Sequence, residues 1–196
     1  VVCLVISPGF RSARNIMNLL NQNSIYGLMA LGMSCCILTG MIDLSAGSIV
    51  ALVAVVCAST LAKYGLAVGL LAGLAMGTLI GFVNGFIISK FKIGYFITTL
   101  GMTSICRGAV YIATNGIPVS GVPAAFNVFG MGRVFGFPVS TLIWLGCALI
   151  LGVLIRYTRA GQYLYAIGGN EKAAWLSGVN VDKIRILAFS LNGFFC

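Results

Sequence analysis

Three carboxylates and no histidine limit the chemistry open to this chain, whose only acids are Asp43, Glu171 and Asp182. General acid–base catalysis needs titratable groups converging on one site, yet Asp43 interrupts an apolar stretch while Glu171 and Asp182 lie in a polar one. A Ser-His-Asp triad and most zinc sites are excluded without histidine. The seven cysteines are odd in number and show neither metal-ligand spacing nor a disulfide framework. Cys35, Cys36, Cys57, Cys106 and Cys147 all sit in apolar runs and read as small buried hydrophobes. No GxxxxGK[ST] phosphate loop occurs, so the chain carries no motor of its own. The reading is a protein that is not an enzyme, with no catalytic residue, no metal and no cofactor.

What could do work is an acid at membrane depth, where an ionisable group is costly and by default functional or paired. Asp43 lies in GMIDLSAGS, from Gly40 to Ser48. Gly40 can end one helix, and Asp43 or Ser45 can cap the next by accepting its free backbone N–H groups. Two roles stay open for Asp43, Ser45 and Ser48: a capped chain reversal, or a direct part in a translocation path. Arg107 is the other charge at depth, and alternation of the spans places it in the opposite half of the bilayer from Asp43, so no pair is expected. Asn84 is a further polar group at depth, suited to bonding across a helix interface or to lining a polar path.

These residues have to be positioned by membrane-spanning helices. Sixty per cent of the residues are hydrophobic, 8% are charged, and mean hydropathy is +1.07, which excludes an ordinary soluble domain. The net charge of +9 does not point to nucleic acid, because the 12 Lys and Arg are scattered between apolar runs and form no basic stripe. Spans are expected at about 16–41, 45–62, 66–89, 94–114 and 138–155, each near the ~20 residues a crossing helix needs. The apolar starts and stops at VVCLVIS and ILAFSLNGFFC read as partial spans, making the whole an incomplete fragment. The fold class is therefore an all-α polytopic transmembrane bundle of about five complete spans plus partial spans at both ends, a single domain over 1–196. Lys and Arg near span ends fall four on one side (Arg11, Arg14, Lys63, Arg133) and seven on the other (Lys90, Lys92, Arg156, Arg159, Lys172, Lys183, Arg185), which puts residues 156–185 in the cytoplasm. Residues 115–137, with Pro118 and Pro123, then face outward and hold at most a short interfacial or re-entrant piece.

The third span carries glycine at every fourth position, Gly69, Gly73, Gly77, Gly81 and Gly85, a ridge without side chains along one helix face. Close helix approach through small residues drives association in lipid, either within this chain or between subunits. The cytoplasmic segment 156–185 has its own short helix over about 171–177. Asn170 is its N-cap, Glu171 complements the helix dipole, Gly178 is its stop, and a Gly168-Gly169 turn precedes it. At about two turns it is too short to stand alone and must pack on something, a partner or the lipid headgroups, and Trp175 suits either. Arg156, Arg159, Lys183 and Arg185 read as charges that hold the flanking spans in orientation.

Four segments together resemble the permease subunits of bacterial ABC sugar importers, of the ribose, xylose and galactose type. They are NQNSIYGLMALGM from Asn21, GMIDLSAGS from Gly40, TTLGMTSICRGAVYIATNG ending at Gly116, and YAIGGNEKAAWLSGVNVDKIR from Tyr165. The one noted departure is Ala46, where Val is more usual. The resemblance implies a bacterial inner-membrane protein, multi-pass, with a further set of spans after residue 196. Besides the lipid bilayer, and with no nucleic acid, it implies three kinds of partner: a cytoplasmic ABC ATPase, a second permease subunit, and a periplasmic or lipid-anchored sugar-binding protein that delivers the sugar. The segment it assigns to ATPase coupling includes Gly168, Gly169, Asn170, Glu171, Ala174, Ser177 and Gly178. A permease for branched-chain amino acids or nucleosides shares this architecture, and a proton-coupled carrier is the alternative outside the class.

Overall fold

The computed structural model describes residues 12–120 and 126–196, so the apolar stretch expected to end an earlier span, Arg11 and Pro123 lie outside the described residues. The chain is a helical bundle: α1 Ala13–Leu38, α2 Ala46–Tyr64, α3 Leu66–Lys90, α4 Tyr95–Thr114, α5 Asn127–Met131, α6 Val139–Tyr157, α7 Arg159–Gly169, α8 Glu171–Leu176 and α9 Val181–Phe195. The described strands are two-residue β1 (Arg133–Val134) and β2 (Phe137–Pro138), paired antiparallel around Phe135 and Gly136, both at positive φ. They and α5 are the described elements between α4 and α6.

Among the described residues, four helices, α2, α3, α4 and α6, are long and apolar enough to cross a membrane. The expected first span differs: α1 has 26 residues but is not among those four. Its first half carries Asn15, Asn18, Asn21, Gln22, Asn23 and Ser24, which dilute the apolar stretch that follows. Two of those polar groups, Asn21 and Ser24, are used for packing. Asn21 donates to the carbonyl of Gly130 at 2.9 Å and accepts from the Ser140 hydroxyl, while Ser24 shares a buried 2.9 Å bond with Thr141. The first half of α1 is thereby tied to α5 and α6.

A second difference lies in the polar segment. The Gly168-Gly169 turn expected before α8 is instead the end of a helix, α7, over Arg159–Gly169. Thr158 caps it by accepting from Gly161 N–H, and Gly161, Leu164 and Ile167 form its buried face. The glycines mark close packing: a Cβ at Gly161 would stand 1.9 Å from the Ile155 carbonyl oxygen, and one at Gly168 2.1 Å from that of Leu38.

The glycine ridge of α3 is buried and serves two neighbours. Added Cβ atoms at Gly69 and Gly73 would meet Leu61 and Cys57 of α2, whereas those at Gly77, Gly81 and Gly85 would meet Gly193, Phe189 and Ile186 of α9. Gly193 returns the fit, its own missing Cβ facing the Gly77 carbonyl oxygen at 2.1 Å. Helix α9 is consequently the centre of the bundle, wedged between α3 and α1, with Phe189 fully buried beside Cys36, Met41 and Ile88.

Candidate functional site

Helix α1 ends because Gly40 takes a left-handed φ of 77°. Gly40 N–H bonds the Ile37 carbonyl and Met41 N–H the Cys36 carbonyl, the paired bonds of a Schellman stop. The chain then runs non-helically to Ser45 and restarts as α2. Ser45 does not cap α2 with its side chain, contrary to one of the two expectations, because that hydroxyl is engaged elsewhere.

Asp43 is buried and accepts three bonds. Ser45 gives it both N–H (2.8 Å) and O–H (2.5 Å) on Oδ1, and Asn192 of α9 gives Nδ2 on Oδ2 at 2.9 Å. Asn84 of α3 donates to the Ser45 hydroxyl at 2.9 Å, Ser48 donates to the Ser45 carbonyl at 2.8 Å, and Thr103 of α4 donates to the Leu44 carbonyl at 3.2 Å. Asp43, Ser45, Ser48 and Asn84 are one connected, buried cluster, with Ser48 at its edge. Such a network fixes the loop relative to three helices at once, since a buried polar group left unpaired is expensive. Asn192 is the member that sequence reasoning missed. Arg107 is not paired with Asp43, but not through the expected separation in height: Thr103, one turn before it on α4, already reaches the Leu44 carbonyl, and Arg107 instead lies exposed, facing an open cleft against α2.

At the polar end of the bundle, Asn170 Oδ1 accepts from Ala173 N–H at 3.0 Å and so caps α8, and Gly178 takes φ 85° just beyond it. Ala174 is the buried face of this six-residue helix, packed with Ile167, Val179 and Val181. Lys172, Trp175 and Leu176, at i, i+3 and i+4, form its exposed face. Gly169, Asn170, Glu171, Ser177 and Gly178 are exposed around it; Gly168 is exposed too but seats α7 against Leu38. Arg185, expected among the orienting charges, instead pairs with Glu171 at 2.6 Å, its side chain only 11% exposed. Lys92 after α3 pairs with Asp182 at 2.7 Å, so the start of α9 is held by two ion pairs. Helix α9 thus touches α8 at Arg185 and the Asp43 cluster at Asn192, seven residues or about 10 Å further along its axis.

Comparison with known proteins is consistent with this architecture. The chain matches the family described as "Branched-chain amino acid transport system / permease component" over residues 15–196. The ribose import permease protein RbsC of Escherichia coli (strain K12) is 42% identical over 195 residues, 96% of this chain and 60% of that relative. The ribose import permease protein of Bacillus subtilis (strain 168) is 41% identical over 196 residues, 98% of this chain and 61% of its own length. The L-arabinose transport system permease protein AraH of Escherichia coli (strain K12) is 38% identical over 194 residues, 98% of this chain and 59% of the relative. The chain therefore spans about three fifths of the length of these curated relatives. No solved structure matches it significantly. With the family match covering nearly the whole chain, this polytopic helical bundle belongs to the branched-chain amino acid transport system / permease component family.

Proposed function

We propose that the chain is the membrane-spanning permease subunit of an ATP-binding-cassette importer in the bacterial inner membrane, passing a simple sugar, a ribose-like pentose or a hexose. On this reading the segment 156–185 is cytoplasmic and meets a separate ATPase, a second permease subunit completes the path, and a periplasmic or lipid-anchored binding protein delivers the sugar. The ribose and arabinose permeases among its relatives support the substrate class. The observation that carries the mechanism is that α8 offers an exposed Lys172-Trp175-Leu176 face while being pinned to α9 by Glu171–Arg185.

A short helix held in this way acts as a lever. ATP-driven closure of the partner displaces α8, α9 follows, and Asn192 carries the displacement to Asp43 and so to the start of α2. The ion pair itself contributes little stability, on the order of 1 kcal/mol or less for a partly exposed pair. Its role is geometric. In the full-length transporter reconstituted with its ATPase, changing Glu171 to Lys and Gly178 to Val together should leave membrane insertion intact. The same pair of changes should lower both ATPase retention and sugar uptake by about tenfold, a loss of ~1.4 kcal/mol in the coupling step. Wild-type ATPase binding and uptake in that variant would refute the lever.

The family's description favours one second reading, transport of branched-chain amino acids. Competition separates the two: labelled ribose uptake should be suppressed by excess ribose or arabinose and not by leucine. Leucine suppression would favour the second reading.

A further inference from the structure

An open cleft of about 570 Å³ lies between α2 and α4, toward the end of the bundle opposite α8. Its α2 wall is small and apolar, with Ala51 and Val55 above Ser48; its α4 wall presents Arg107, Tyr111 and Thr114. Arg107 stands roughly 18 Å from the start of α4 and 10 Å from its end, at 1.5 Å per residue, well inside the hydrocarbon core. It is exposed, and among the described residues no carboxylate pairs with it. A guanidinium at that depth cannot be left facing lipid tails, so this face of α4 meets water or protein when the transporter is assembled. Ser104, Arg107 and Tyr111 recur at i, i+3 and i+7, which places them on one stripe, and Tyr111 is 69% exposed. Ile112, 79% exposed on another face of the same helix, is by contrast apolar and would sit in lipid tails without cost.

The donor set matches a neutral polyol. A guanidinium offers parallel N–H groups to neighbouring hydroxyls, a phenol adds both a hydrogen bond and an apolar ring face, and threonine and serine hydroxyls donate or accept. An apolar substrate would leave the guanidinium unsatisfied, whereas a sugar offers it hydroxyl acceptors and offers Tyr111 an apolar ring face. The base of the cleft is Ser48, whose hydroxyl bonds the Ser45 carbonyl, so its floor is part of the cluster that Asp43 holds. Movement of that loop changes the cleft directly.

We propose that the α2–α4 cleft is a wall of the translocation path on its outward side, and that Arg107 and Tyr111 contact the hydroxyls and ring of the sugar in transit. This rests on the sugar-permease reading. The full-length transporter, with its ATPase and binding protein in proteoliposomes, tests it through labelled D-ribose and a water-soluble, membrane-impermeant maleimide. Wild-type uptake of ribose tests the underlying reading by itself. In variants Arg107→Cys, Tyr111→Cys and Ile112→Cys, made in a background without the native cysteines, the first two should label about tenfold faster than the third, and ribose should slow them. Arg107→Gln should lower ribose uptake by about tenfold with assembly onto the ATPase retained, and Arg107→Lys should recover part of it. Labelling at 107 and 111 no faster than at 112 overturns the assignment, as does a spontaneous 107–107 disulfide dimer that resists labelling, which would make this face a subunit seam. Labelling that ribose leaves unchanged, in a transporter that imports ribose, overturns the contact with sugar.

Discussion

Gly81→Ala is expected to destabilise the bundle by on the order of 3 kcal/mol or more, because the added methyl has nowhere to go. Its Cβ would stand 2.2 Å from the Phe189 carbonyl oxygen and 3.0 Å from the carbonyl carbon, both backbone atoms of α9 that no rotamer change can move. Relief requires α3 and α9 to separate along their length, and that separation loosens the cluster of Cys36, Met41, Ile88 and Phe189 beside them. Dispersion contacts are the main force holding helices together in lipid, so a gap of even an ångström forfeits much of the seam. The ridge supplies its own calibration. Gly77→Ala should behave like Gly81→Ala, with the Gly193 oxygen at 2.3 Å, whereas Gly73→Ala should be milder, since the nearest atom is the Cys57 Cβ at 3.2 Å. Gly101→Ala on α4, with nothing within 4 Å, should be neutral or slightly stabilising. Thermal unfolding in detergent measures the series. Equal melting temperatures across the four variants would mean that the seam does not hold the fold.

The glycine ridge is legible in the sequence because its spacing is a local property of one helix, but its partners are not. Gly69 and Gly73 pack on α2, the neighbour in sequence, while Gly77, Gly81 and Gly85 pack on α9, far along the chain, and no periodicity in α3 distinguishes the two sets. The same limit governs the Asp43 cluster. An acid breaking an apolar run is visible in one sequence, as is the glycine that stops α1. Asn192 sits in an apolar run of its own, 149 residues from Asp43, and a single amide there signals nothing until α9 is placed. Helix α7 escapes a sequence reading for a different reason: glycine pairs usually mark turns, yet here Gly161 and Gly168 admit neighbouring carbonyls at distances no side chain would permit. Glu171 is readable at the start of its helix, while its partner Arg185 reads as a membrane-orienting charge, since a charge count near span ends cannot tell an anchoring cation from a paired one.

Asn192→Asp should be the most damaging single change in the polar cluster, and the second substitution Asp43→Asn should repair it. In the native arrangement Asn192 donates Nδ2 to Asp43, and its own Oδ1 is buried without a partner. Aspartate at 192 sets two buried carboxyl groups 2.9 Å apart with no donor between them, so that they repel or must share a proton. The expected cost is about 3–5 kcal/mol, the range for a buried polar pair broken from one side. Asp43→Asn alone should be mild. The side-chain oxygen kept at position 43 can still accept from the Ser45 N–H and O–H, and Asn192 can turn its amide over so that its idle Oδ1 accepts from the amide nitrogen introduced there. The double variant restores one donor facing one acceptor, with the roles exchanged, and should recover most of the stability lost to Asn192→Asp. The cycle therefore predicts a strongly favourable coupling between the two positions, well above the ~0.5 kcal/mol expected of independent sites. Unfolding in detergent reads the stability, and uptake by the reconstituted transporter reads whether α9 still moves the loop that begins α2. Additive effects of the two substitutions would show that Asn192 and Asp43 do not bear on one another, and would cut the route from α8 to the cleft at its middle step.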